Sequence, residues 1–122
     1  MSTLPGQLEV QILGTKKHSD TRKAERFFKE RRVKVHFMDF AVRAPSVGEL
    51  KRFAQQFGID ALIDREGKRF AELGLGPSRY GEERWLTLLS DEPELLVQPL
   101  VRCKQRLTVG LAEAKWKEWV GK

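Results

Sequence analysis

Apolar and polar residues alternate along Leu8-Glu9-Val10-Gln11-Ile12-Leu13, and the pattern stops at Gly14. A period of two predicts a half-buried strand. The period then changes. Ala24, Phe27 and Phe28 recur at helical spacing, with Arg22, Arg26 and Lys29 on the opposite face, so an amphipathic helix follows. Ser19 or Asp20 is expected to cap it, because either side chain can accept from the free N–H groups of a first turn. Glu25 and Lys29 lie four apart in the favourable order for a helix pair. Val33 to Phe40 is rich in β-branched and aromatic residues and predicts a second strand. Strand, helix and strand in close succession form a βαβ unit, whose strands should run parallel.

Beyond Ala44-Pro45, Ser46 and Glu49 have the spacing of a capping box and start a helix through Leu50, Phe53, Ala54 and Phe57. Gly58 should stop it. Ile59 to Leu75 reads as short helical pieces ending at Gly74, and Gly76-Pro77-Ser78 as a turn. Glu82 to Leu89 predicts another helix with Trp85, Leu88 and Leu89 inward, broken by Asp91-Glu92-Pro93. Pro99 to Cys103 and Arg106 to Val109 are apolar-rich runs joined by Lys104-Gln105, which predicts a hairpin. Leu111 to Val120 closes the chain as a helix carrying Trp116 and Trp119. The fold class is α/β: a four-stranded mixed sheet covered by helices, with a helical insertion between the βαβ unit and the hairpin. That is the thioredoxin-like pattern.

Composition narrows the function classes. The 122 residues with 40% hydrophobic content suit one domain spanning residues 1–122. No apolar run approaches the ~20 residues needed to cross a bilayer. Met1 to Gly6 lacks the basic and apolar regions of a signal peptide, so a cytoplasmic location is expected. Cys103 is the only cysteine, which excludes an internal disulfide and a Cys-x-x-Cys site. With His18 and His36 it makes no convincing metal set, and none is expected. The net charge of +6 is unevenly placed: residues 15–34 hold nine Lys/Arg against Asp20, Glu25 and Glu30, which is the entire excess. The surface is either a solvated helix face or one facing an acidic partner or an anion. The aromatic residues within the basic run, Phe27 and Phe28, read as core rather than as base-stacking platforms, which argues against direct nucleic-acid binding.

Several motifs, in order and spacing, carry a resemblance. Thr15-Lys16-Lys17-His18-Ser19-Asp20-Thr21-Arg22-Lys23-Ala24 stands where a loop enters the first helix. Pro45 to Leu50, Glu72-Leu73-Gly74-Leu75, Pro93-Glu94-Leu95-Leu96, Pro99-Leu100-Val101, and Gly110 with Glu113 follow. Together they resemble the arsenate reductase/Spx family of thioredoxin-fold proteins, from about residue 8 to 120. In arsenate reductases of that family a cysteine thiolate at the helix start attacks arsenate, aided by helix N–H groups. The resemblance puts His18 in the place of that cysteine and Thr21 in the place of a second thiol. It puts Asp64, Gln98 and Gly110 where three arginines grip the oxyanion, with Arg65 and Arg102 as their neighbours. It also implies that Pro99 is the fold's frequently cis proline facing the active loop.

These departures point to a family member inactive as a thiol reductase, acting as an interaction or regulatory module. Lys16, Lys17, His18, Ser19, Arg22 and Pro99 are candidates for a residual small-oxyanion site. Arg22, Arg26 and Lys29 are candidates for a partner surface. Spx-like relatives bind RNA polymerase through its α subunit, and the resemblance implies a partner of that kind. The alternative is an oxidoreductase with altered chemistry around His18, working with a bound thiol such as glutathione; otherwise no cofactor is expected.

Overall fold

Val10 and Ile12 point to one face of the first strand, where each is nearly fully buried. The computed structural model, which describes residues 8–121, builds two compact units from the chain. Met1 to Gly6, on which the signal-peptide expectation rests, lies outside the described residues. One unit comprises the chain up to Asp39 together with Gln98 onward; the other is Phe40–Val97.

The first unit holds the sheet. Its strands are β1 (Glu9–Gly14), β2 (Lys34–Asp39), β3 (Leu100–Cys103) and β4 (Arg106–Val109), in the order β2-β1-β3-β4. β1 and β2 run parallel, with Ile12 opposite Phe37, while β3 pairs antiparallel with both β1 and β4. The mixed sheet and the parallel βαβ unit are as expected, with strand ends shifted by a residue or two. Lys104 adopts φ +58 in the tight hairpin turn. Helices α1 (Ser19–Glu30) and α5 (Glu113–Trp119) belong to the same unit. Their core joins Val10, Ile12, Ala24, Phe27, Phe28, Val101, Cys103, Trp116 and Trp119. Phe27 and Phe28 meet edge to face at 5.0 Å, and Trp116 packs against both rings. The buried Trp116 indole N–H donates to Thr108 Oγ1 at 2.8 Å, so this polar group enters the core with a partner. Helix α1 ends in a Schellman motif. Val33 N–H reaches the Phe28 carbonyl, Arg32 N–H reaches that of Lys29, and Arg32 takes the left-handed conformation at φ +60.

The second unit is helical. It contains α2 (Val47–Phe57), a 3-10 turn at Ile59–Leu62, α3 (Lys68–Glu72), α4 (Glu82–Asp91) and a 3-10 turn at Pro93–Leu95. The capping box forms in full: Ser46 Oγ accepts from Glu49 N–H, and the Glu49 carboxylate accepts from Ser46 N–H. Gly58 ends α2 at φ +86. In α4 the buried stripe is Trp85, Leu86 and Leu89, whereas Leu88, expected inward, is only half-buried. The stripe advances along the 85/86/89 ridge, which leaves Leu88 at its margin. Arg69 joins α3 to the C-terminal end of α4 by pairing with Glu92 at 2.9 Å, and it also pairs with Glu72 of its own helix at 3.2 Å. Those two carboxylates raise the pKa of its guanidinium. Among the described residues, no helix is long and apolar enough to cross a membrane.

Candidate functional site

The loop between β1 and α1 is shaped by hydrogen bonds from its own residues. His18 N–H bonds the Thr15 carbonyl at 3.2 Å, closing a turn through Lys16 and Lys17. His18, rather than Ser19 or Asp20, is the N-cap of α1. Its backbone is extended, and its ring Nδ1 accepts from Asp20 N–H at 3.2 Å. The expected caps are displaced by one residue because the helix begins earlier, at Ser19. Ser and Asp are better caps by intrinsic preference, but a cap must stand one residue before the first helical turn. Asp20 thus falls within the first turn, where its carboxylate complements the positive end of the helix.

Arg22 turns back over the loop. Its Nη1 donates to the carbonyls of Lys16 at 2.9 Å and Lys17 at 2.8 Å. Lys16 extends over the Phe37 ring of β2, with Nζ 5.5 Å from the ring centre. Lys17 and Ser19 are exposed. The bond before Pro99 is cis, and the buried Pro99 accepts from Gly110 N–H at 2.8 Å through its carbonyl. Lys16, Lys17, His18, Ser19 and Arg22 therefore share one loop, although the side chains of His18 and Arg22 are already bonded within it.

Beneath the loop lies a polar cluster that the sequence does not announce. Gln98 Oε1 accepts from Thr15 N–H at 2.7 Å, from Thr15 Oγ1 at 3.2 Å and from Thr21 Oγ1 at 3.2 Å. Thr21 is 0% exposed and Gln98 6%. One side-chain oxygen thus ties the strand end, the first turn of α1 and the segment before β3. Gly14 is part of the same packing: a Cβ there would stand 2.6 Å from Thr21 Oγ1 and 3.0 Å from Gln98 Oε1.

The remaining sequence candidates separate. On α1, Lys29 is paired with Glu25 at 3.3 Å, while Arg26 is exposed and lines a groove beside Phe27. Cys103 is 2% exposed in the core, and burial raises the pKa of its thiol despite the opposing charges of Arg106 and Lys104. Arg102 donates through Nε to the Lys104 carbonyl at 2.8 Å within the hairpin. In the helical unit, Arg65 pairs with Asp60 at 2.8 Å, and Asp64 accepts from Gly67 N–H in a turn. Among the described residues, no three His, Cys, Asp or Glu side chains are grouped to hold a metal ion.

Sheet order, helices and loop together define a thioredoxin-like α/β protein. The ArsC family model matches residues 13–119, and the chain belongs to the ArsC family. It is 29% identical over 101 residues to the uncharacterized protein YusI of Bacillus subtilis strain 168, covering 80% of this chain and 86% of that one. It is 28% identical over 97 residues to the global transcriptional regulator Spx 2 of Oceanobacillus iheyensis, covering 78% of this chain and 72% of that one. A solved arsenate reductase from Vibrio cholerae matches with a TM-score of 0.80 at 24% identity, covering 92% of this chain and 98% of that structure. At that identity the likeness concerns the fold.

Proposed function

We propose that this ArsC-family protein is inactive as a thiol reductase and works as an interaction or regulatory module. The observation that carries the reading is the state of its sole cysteine. Cys103 is enclosed by core side chains, and burial holds its thiol protonated. The thiolate is the nucleophile in thiol chemistry, and this environment withholds it. The loop supports the same reading. His18, in the place of the family cysteine by the resemblance, is engaged as a helix cap. Gln98 and Thr21, in the places of a family arginine and a second thiol, bond each other. An arriving oxyanion would compete with His18 for Asp20 N–H and meet the Asp20 carboxylate.

A protein partner of the RNA polymerase α-subunit kind follows from the resemblance, and the relative named as a transcriptional regulator supports that direction. The test has two arms. Arsenate with glutathione or glutaredoxin should give no turnover, and turnover abolished by His18→Ala would replace this reading with an altered-chemistry reductase. Binding to the isolated α subunit should weaken when Arg26 and Lys29 are changed to Glu; unchanged affinity removes the outer face of α1 from the contact. Arg22 is unsuitable for that reversal, because Arg22→Glu would also open the loop it clamps.

A further inference from the structure

A groove of about 570 Å³ is lined by α1 and by the segment leading through α5. Two of its cations come from different elements: Arg26 from α1 and Lys117 from α5. Neither has an ion pair among the described residues. Lys23 adds a third, held only loosely toward Asp20 at 3.9 Å. With Arg31 these cations outnumber Glu30 and Glu113, the two carboxylates that line the same groove, so the groove keeps a positive excess that favours an anionic ligand. The lining is mostly polar, with Phe27 and Leu111 as its apolar members. Phe27 lies beneath, its ring covered by the Arg31 guanidinium at 3.8 Å, and Arg31 is held there by a hydrogen bond to the Phe27 carbonyl. Leu111, 43% exposed, supplies an apolar surface on the groove wall.

We propose that this groove docks an acidic peptide segment of a partner protein, with carboxylates toward Arg26, Lys117 and Lys23 and one bulky apolar side chain on Leu111. The proposal rests on reading the protein as an interaction module and names the chemistry its partner presents. Carboxylates suit the groove better than a nucleic-acid backbone. Glu30 and Glu113 also line it and would repel a continuous row of phosphates, whereas a peptide can leave those two positions uncharged. Among the described residues the one aromatic ring that lines the groove, Phe27, is already stacked under Arg31, which leaves that face unavailable to a base. An amphipathic segment laid in a groove is an established mode of peptide recognition.

The probe is a short synthetic peptide with glutamates flanking a single leucine, titrated into isotope-labelled protein and followed by amide chemical shifts. Its lysine-for-glutamate counterpart and a short DNA duplex serve as comparisons. The expected result is saturable shifts at Lys23, Arg26, Leu111 and Lys117 with the acidic peptide alone. Changing both Arg26 and Lys117 to Glu should weaken binding by roughly tenfold or more, since rim charges steer and select. Leu111→Ser should weaken it several-fold, and Lys29→Glu, outside the groove, should change it little. Absence of shifts, shifts elsewhere, indifference to the double reversal, or preference for the duplex overturns the proposal. Reductase turnover alongside intact groove binding would instead overturn the module reading and leave the groove standing.

Discussion

Thr21 Oγ1 lies 3.2 Å from Gln98 Oε1, although 77 residues separate them in the chain, and both side chains are buried. The same oxygen receives Thr15 N–H, so removing it leaves a backbone donor without its partner. Gln98→Ala should therefore destabilise the fold by about 1–3 kcal/mol, the usual cost of a buried group left unsatisfied. Thr21→Val, which removes one donor and keeps the volume, should cost about 1 kcal/mol. Urea unfolding of both single variants and the double variant checks this. The double variant should lose less than the sum, and strict additivity would show that the two residues do not act together.

Gly14→Ala tests the close packing at the same place. The added Cβ would press on Thr21 Oγ1 and Gln98 Oε1. Overpacking of this kind costs about 1–3 kcal/mol. Thr21→Ala in the same chain removes the nearest obstacle, so the second substitution should be far less harmful on the Gly14→Ala background than alone. Thermal midpoints of the four proteins provide the comparison.

His18→Ala should lower stability by about 0.5–2 kcal/mol through loss of the cap, and His18→Asp or His18→Ser should recover much of it. Hydrogen exchange of the first-turn amides of α1 should follow the same order. A catalytic histidine would leave exchange largely unmoved and change turnover instead. His18→Cys should not create arsenate reductase activity, because the Thr15–Thr21–Gln98 cluster stays in place.

Cys103 should resist aqueous thiol reagents in the folded protein and react at once on unfolding. Its pH dependence has a definite sign. The folded thiol's pKa is raised by burial, so the folded state keeps its proton to higher pH than the unfolded state does. The resulting stabilisation is fully present below the unfolded thiol's pKa of about 8.5, and it is lost as pH rises through the folded value. Cys103→Ala should flatten that alkaline decline in urea midpoints. An unchanged slope would assign the decline to other groups.

Periodicity was enough to find the strands and most helices, because Val10, Ile12, Phe27 and Phe28 must share one buried face. The capping box at Ser46 and Glu49 was equally legible, since both of its bonds close within three residues. The cap of α1 was not. Ser19, Asp20 and His18 are adjacent, and intrinsic preference favours the first two over the residue that the helix start selects. The Gln98 cluster lay further out of reach. Its bonds join positions 77 and 83 residues apart, and nothing in the local pattern of either segment reports the other. The positions of Thr21 and Gln98 were singled out only by resemblance, as places where expected groups were missing. The roles of Leu111 and Lys117 depend on how α5 lies beside α1, which no short window of sequence contains.

The Arg22 clamp on the Lys16 and Lys17 carbonyls bears on how strongly any partner's affinity should respond to salt. Residues 15–34 suggest a densely cationic stretch, yet Arg31 is held on Phe27 and Lys29 on Glu25 as well. Side chains tied down inside the chain are less free to approach a partner's charges, so they add less to an attraction that salt screens. The dependence of log affinity on log salt should then have a shallow slope, set by cations such as Arg26 and Lys117 rather than by all nine basic residues of the segment.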